Sequence, residues 1–138
     1  MSNILAGIGR GQMEVIDDRV AARRANYQMY EDALQGIDGI EFLPEPKGYF
    51  SNRWLSCILT PTFEYREKIR TALLAEHIES RPLWKPMHLQ PVFSKCLSFT
   101  DGTSETLFDR GLCLPSGSNL SKEDVLRVIQ IIKTINHD

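Results

Sequence analysis

The densest group of chemistry-bearing side chains lies in residues 79–91, ESRPLWKPMHLQP, where Arg81, Trp84, Lys85, His88 and Gln90 alternate with Pro82, Pro86 and Pro91. Two cations, an indole, an imidazole and a carboxamide on a proline-stiffened loop suit a phosphorylated, ring-bearing ligand. The cations match phosphate or carboxylate oxygens and the indole offers a stacking face. A stiff surface loop built around a buried Trp accounts for the same residues equally well, and the residues alone do not separate the two readings.

The other motifs carry less. GIGRG at positions 7–11 begins like a dinucleotide-binding loop, but Gln12 stands where the last glycine is needed and no strand precedes it, so helix packing is the better reading. Neither GxxxxGK[ST] nor HExxH occurs. His77, His88 and His137 are too widely spaced to declare a metal site, and His77 and His137 read as surface residues. Cys57, Cys96 and Cys113 are odd in number, lack CxxC spacing and sit among apolar neighbours, which predicts buried, reduced thiols rather than a disulfide or a zinc site. Asp17, Asp18, Glu64 and Glu67 fall on helix surfaces beside Arg and Lys, as a solvated charged face requires.

Sixteen Lys plus Arg against eighteen Asp plus Glu leave a net charge of -2, with no electrostatic footprint for nucleic acid or an anionic membrane. At 138 residues, 42% hydrophobic and 25% charged, the chain has enough apolar material for one core. No apolar run approaches the ~20 residues that span a bilayer. The N-terminus lacks the basic region of a signal peptide, so a cytoplasmic location is expected.

The elements that must position the 79–91 loop follow from periodicity. Ile4, Leu5, Ile8, Val15, Ile16, Tyr27, Tyr30 and Leu34 recur at helical steps, predicting one long amphipathic helix over the first 35 or so residues, ended at Asp38-Gly39. Gly7, Gly9 and Gly11 each cost that helix about 1 kcal/mol relative to Ala, which implies close approach by another backbone. Residues 40–43, 53–59 and 78–83 read as strands, 63–77 as a helix, and 84–101 as a long structured loop. Residues 103–110 form a short helix and 112–114 a short strand. Ser121 and Asp124 make a capping box for a last helix buried through Val125, Leu126, Val128, Ile129, Ile132 and Ile135. The fold class is α+β, with a small, mostly antiparallel sheet.

Four segments, MSNILAGIGRGQMEVID, ARRANYQMYEDAL, RPLWKPMHLQPVF and GLCLPSGSNLSKEDVLRVIQIIK, resemble the C-terminal part of the DegT/StrS family of pyridoxal phosphate-dependent sugar aminotransferases. The RPLWKPMHLQP piece is similar to the branch that aminates nucleotide-linked 4-keto-6-deoxy sugars. The resemblance implies a homodimer of two-domain, fold-type-I subunits serving cell-surface polysaccharide or glycan sugar biosynthesis, with glutamate as amino donor. It places the pyridoxal phosphate, its Schiff-base lysine and the Asp facing the pyridine nitrogen in a large domain outside these residues. None of Lys47, Lys68, Lys85, Lys95, Lys122 and Lys133 is preceded three residues earlier by the family's Ser. On this reading residues 1–37 are a linking helix and 38–138 the small domain. Ser2 and Asn3 match the second half of the family's GYNYRMSN segment, near the cofactor. Arg81, Trp84, Lys85, His88 and Gln90 close over the substrate pocket, binding it or fixing the loop. The fragment alone is expected to be inactive and to bind no cofactor. The competing expectation is a non-catalytic module binding a nucleotide sugar or a protein.

Overall fold

The computed structural model describes residues 2–135. In chain order these form α1 (Asn3–Glu14), α2 (Ile16–Leu34), β1 (Glu41–Phe42), β2 (Ser56–Leu59), α3 (Phe63–Ala75), β3 (Arg81–Pro82), α4 (Thr103–Arg110), β4 (Gly111–Leu114) and α5 (Lys122–Ile135). Two single 3-10 turns, Met87–Leu89 and Pro91–Phe93, interrupt the long loop before α4. The strands make one antiparallel sheet in the order β1-β2-β4-β3. This is the α+β arrangement that the sequence predicts. Among the described residues no helix is long and apolar enough to cross a membrane, and His137 lies outside them.

Two of the core helices, α3 and α5, start where a side chain satisfies their free amides. Thr62 Oγ1 accepts from Tyr65 N at 3.2 Å to open α3. At α5, Ser121 Oγ accepts from Asp124 N at 3.1 Å while Ser121 N donates to Asp124 Oδ2 at 2.9 Å, completing the capping box. Donation by Ser121 holds the Asp124 carboxyl below its usual range.

One face of the sheet is sealed by helices. Ile58, Leu112 and Leu114 pack with Tyr30 and Leu34 of α2, Ile69 and Leu73 of α3, and Val125, Val128, Ile129, Ile132 and Ile135 of α5. Leu126 is 40% exposed and stands outside this core, contrary to its expected place. Tyr30 also ties α2 to the strand exit, its hydroxyl donating to the Pro115 carbonyl at 3.0 Å, and burial raises its phenol pKa. At the turn into β1, Gly39 has φ +75 and lies where any Cβ would collide with the Pro61 ring.

The single long N-terminal helix is instead two. Val15, with φ -121 and ψ 11, closes α1 by donating to Gln12 O and opens α2. Adjacent β-branched Val15 and Ile16 followed by Asp17 and Asp18 favour a fresh N-terminus, where the carboxylates meet the helix dipole. The two pieces behave differently. α2 supplies the core, so residues 16–34 pack as part of the α+β unit. No residue of α1 is buried; Ile4 is 76% exposed, and beyond its chain neighbours and the helix's own backbone no described atom lies within 4 Å of a Cβ built on Gly7, Gly9 or Gly11. The close approach expected at those glycines is not made by any described residue.

Ile132→Ala is therefore expected to destabilise this chain by about 2–5 kcal/mol, as for other buried large-to-small changes. Ile8→Ala, on the unburied α1, should stay within about 0.5 kcal/mol. Urea unfolding of the two variants provides the comparison.

Candidate functional site

Side chains alternate across a strand, and register partners share a face. Ile58 pairs with Leu112 on the helix-covered face. Cys57 pairs with Cys113, and Cys113 with Arg81, on the opposite one. At Gly111 the missing Cβ makes room for the Leu83 side chain. A cavity of about 520 Å³ opens on this second face, lined by Trp54, Glu79, Arg81, Trp84, Cys113 and Ser116 among others.

The two indoles form one side of the cavity, their ring centroids 6.0 Å apart and tilted by 33°. Both are well exposed, Trp84 at 65%, so the buried Trp of the simple-loop reading is not what the structure contains. Arg81 carries its charge at the rim, where Nη2 meets Glu79 Oε1 at 2.6 Å.

The structure brings Arg81 and Trp84 into the cavity and gives the other candidates different surroundings. His88 Nε2–H donates to Glu105 Oε1 of α4 at 2.5 Å. Gln90 Nε2 donates to the Lys85 carbonyl at 3.2 Å. These bonds hold the loop rather than face the cavity. Lys85 is exposed and makes no ion pair among the described residues. Ser2 is the N-cap of α1, accepting from Leu5 N at 3.3 Å, and neither Ser2 nor Asn3 lines the cavity.

Trp54 was not singled out by sequence reasoning, nor were the groups that aim it. Residues 44–54 belong to no helix or strand and are strapped down by α2. Arg24 forms a fork on Glu45, Nη1 to Oε1 at 2.8 Å and Nη2 to Oε2 at 2.9 Å, and also donates to Ser51 O at 2.6 Å. Arg23 Nη1 donates to Trp54 O at 2.5 Å. Arg53, buried and held at φ +46, stacks 3.7 Å over the Tyr27 ring and donates to Leu43 O at 3.1 Å. Burial pushes the Tyr27 phenol up to about 12. The available signal was Arg23-Arg24 on the helix facing a segment with no period of its own. Trp54 also lines a second cavity of about 540 Å³, at the break between α1 and α2, with Arg19, Arg23, Asn52 and Asn119.

All three cysteines were expected to be buried, but only Cys113 is; Cys57 is half-buried and Cys96 exposed. Cys96 sits in the turn-rich loop rather than in a strand, so its apolar sequence neighbours do not enclose it. His77, at φ +59 beyond α3, is exposed as expected. No group of three potential metal ligands occurs among the described residues.

Residues 1–133 match the profile of the DegT/DnrJ/EryC1/StrS aminotransferase family, and the chain belongs to that family. It is 43% identical over 141 residues to EpsN of Bacillus subtilis (strain 168), assigned by name to the pyridoxal phosphate-dependent aminotransferases, spanning 99% of this chain and 36% of that protein. It is 33% identical to the GDP-perosamine synthase of Escherichia coli O157:H7, across 100% of this chain and 37% of the relative. The chain thus spans little more than a third of the curated relatives it matches. A DegT DnrJ EryC1 StrS aminotransferase from Brucella abortus superposes with TM-score 0.79 at 28% identity, covering 93% of this chain and 34% of that one. The aminotransferase TlmJ of Streptoalloteichus hindustanus shares the fold with TM-score 0.87 at 24% identity, covering 94% and 35%.

Donation from Arg24, then from the Ser51 amide, lowers the Glu45 pKa from 4.5 to about 2. A carboxyl whose folded pKa lies below its unfolded one stabilises the fold fully above the unfolded value and loses that contribution as pH falls toward the folded one. Glu45→Gln should therefore lower the urea midpoint near neutral pH. The gap from the native chain should close as pH falls through the window from 4.5 to about 2.

Proposed function

We propose that the chain is the C-terminal portion of a cytoplasmic pyridoxal phosphate-dependent sugar aminotransferase. The full-length enzyme would move an amino group from glutamate to a nucleotide-linked keto sugar, for cell-surface polysaccharide or glycan synthesis, and act as a homodimer. The observation that carries the reading is the family match over residues 1–133 in a chain that spans little more than a third of its relatives.

The residues present do not fit the cofactor on their own. All six lysines are exposed on the surface, and none lines either cavity that Trp54 shares. A covalent cofactor lysine is normally activated by desolvation or a neighbouring cation inside a pocket. We assign that lysine to the part of the protein outside this chain.

This chain's share of the work is binding. Arg81 lies on the short edge strand β3 at the rim of the cavity, placed to exchange Glu79 for a phosphate or carboxylate oxygen of the substrate. Trp54 and Trp84 offer apolar, stacking surface to a base or sugar ring. Lys85 adds positive charge from the loop, while His88 and Gln90 keep the loop in one shape. Residues 1–37 link to the absent domain through α1, with Ser2 and Asn3 at its far end near the cofactor.

The full-length protein, supplied with pyridoxal phosphate, glutamate and a GDP- or UDP-linked 4-keto-6-deoxyhexose, is expected to release 2-oxoglutarate and an amino sugar nucleotide together, as read by mass spectrometry. The 138-residue chain alone should do neither. Turnover by this chain, or a full-length protein that aminates no such sugar, overturns the proposal. In the full-length enzyme Trp84→Ala should raise KM for the sugar nucleotide about tenfold, the ~1.4 kcal/mol expected of a lost stacking contact.

A further inference from the structure

On the sheet face away from the helices, Cys57 of β2 and Cys113 of β4 are register partners in an antiparallel pair, and their sulfurs lie 3.6 Å apart. Register partners of this kind have Cα atoms about 4.5–5.5 Å apart, inside the roughly 4.4–6.8 Å span that a disulfide bridges. The sulfurs need to close by only about 1.5 Å to reach bonding distance. Both side chains lie on the sheet face away from the helices, so that movement leaves the Ile58, Leu112 and Leu114 core in place. Reagents have a route in, because Cys113 lines the cavity and Cys57 is only half-buried.

We propose that Cys57 and Cys113 are a modification site, a dithiol reached through the cavity at Cys113 that low-molecular-weight disulfides convert reversibly to a cross-strand disulfide. The shared hydrogen bond prepares the pair. Donation from the Cys57 thiol eases ionisation of Cys113, and the same bond, then burial, raises Cys57. The Cys113 thiolate attacks one sulfur of a disulfide such as oxidised glutathione, forming a mixed disulfide and expelling one thiolate. Cys57 then gives its proton to solvent and attacks the Cys113 sulfur, expelling the second glutathione thiolate, which is protonated. Two protein thiols are oxidised, one small disulfide is reduced to two thiols, and no other co-reactant is needed. The reduced pair is the resting state of a reducing compartment, where protein disulfides are transient and redox-sensing. The bond would lock β2 to β4 beside the cavity that Trp54 and Trp84 line. The proposal does not depend on the aminotransferase reading.

The 138-residue chain is equilibrated in a series of reduced to oxidised glutathione ratios, quenched in acid, alkylated after denaturation and digested. The expected result is a peptide linking Cys57 to Cys113, about 2 Da lighter than the two reduced peptides together, while Cys96 is either free or singly glutathionylated. In Cys57→Ser the glutathione adduct should stay on Cys113, because the resolving thiol is gone. Trp54 and Trp84 are the only tryptophans and both line the cavity, so their emission should fall with oxidation and return with reductant. If Cys57 and Cys113 both remain alkylatable under a poise that fully modifies Cys96, or if the link runs through Cys96, the proposal is wrong.

Discussion

Burial of one face of a four-stranded sheet under α2, α3 and α5 is the constraint on which the rest of the molecule depends. Ile58, Leu112 and Leu114 must face the helices, and because strand side chains alternate, that requirement sends Cys57, Cys113 and Arg81 to the other side. A one-residue slip of β4 would carry Arg81's partner and the cavity floor into the core. The hydrophobic register is therefore also the register of the candidate site. It sets which side chains face solvent or ligand without any of them contributing to the core.

α2 joins that core to the rim of the cavity. Tyr30 and Leu34 are buried against the sheet and α5, whereas Arg23 and Arg24 reach the carbonyls and the carboxylate of residues 44–54. An irregular segment has few backbone partners of its own, so its shape must be imposed by side chains from a rigid element. Arg24's fork on Glu45 and Arg53's stacking on Tyr27 do this, and they leave Trp54 facing Trp84. His88 on Glu105 is the corresponding fastening on the other side. The site is thus two loops held by charged side chains over a sheet whose register is set by apolar ones.

Elements with strong local signals were legible in the sequence. The Ser121–Asp124 box, the apolar stripe of α5, the start of α3 after Pro61 and the central strands all follow from neighbours within a few residues. The long N-terminal helix was half legible. Its period continues through Val15, but the break depends on whether anything buries α1, and in this chain nothing described does. The 79–91 segment stood out by composition as a candidate site or a stiff loop, and its five candidates divide by contact: Arg81 and Trp84 line the cavity, while His88 and Gln90 are engaged in fixing the loop.

Sequence by itself determined the α+β class, the positions of α3 and α5 and the family, because periodicity, capping and motif similarity are written in residues close along the chain. Only the tertiary structure decided that Trp54 stands beside Trp84, that Arg23 and Arg24 aim it, and that Cys57 and Cys113 meet sulfur to sulfur. Each of those meetings joins residues 27 to 56 positions apart, brought together by strand pairing and helix docking rather than by any local preference. Such contacts are chosen by the shared burial of the sheet face, which no short window of sequence contains.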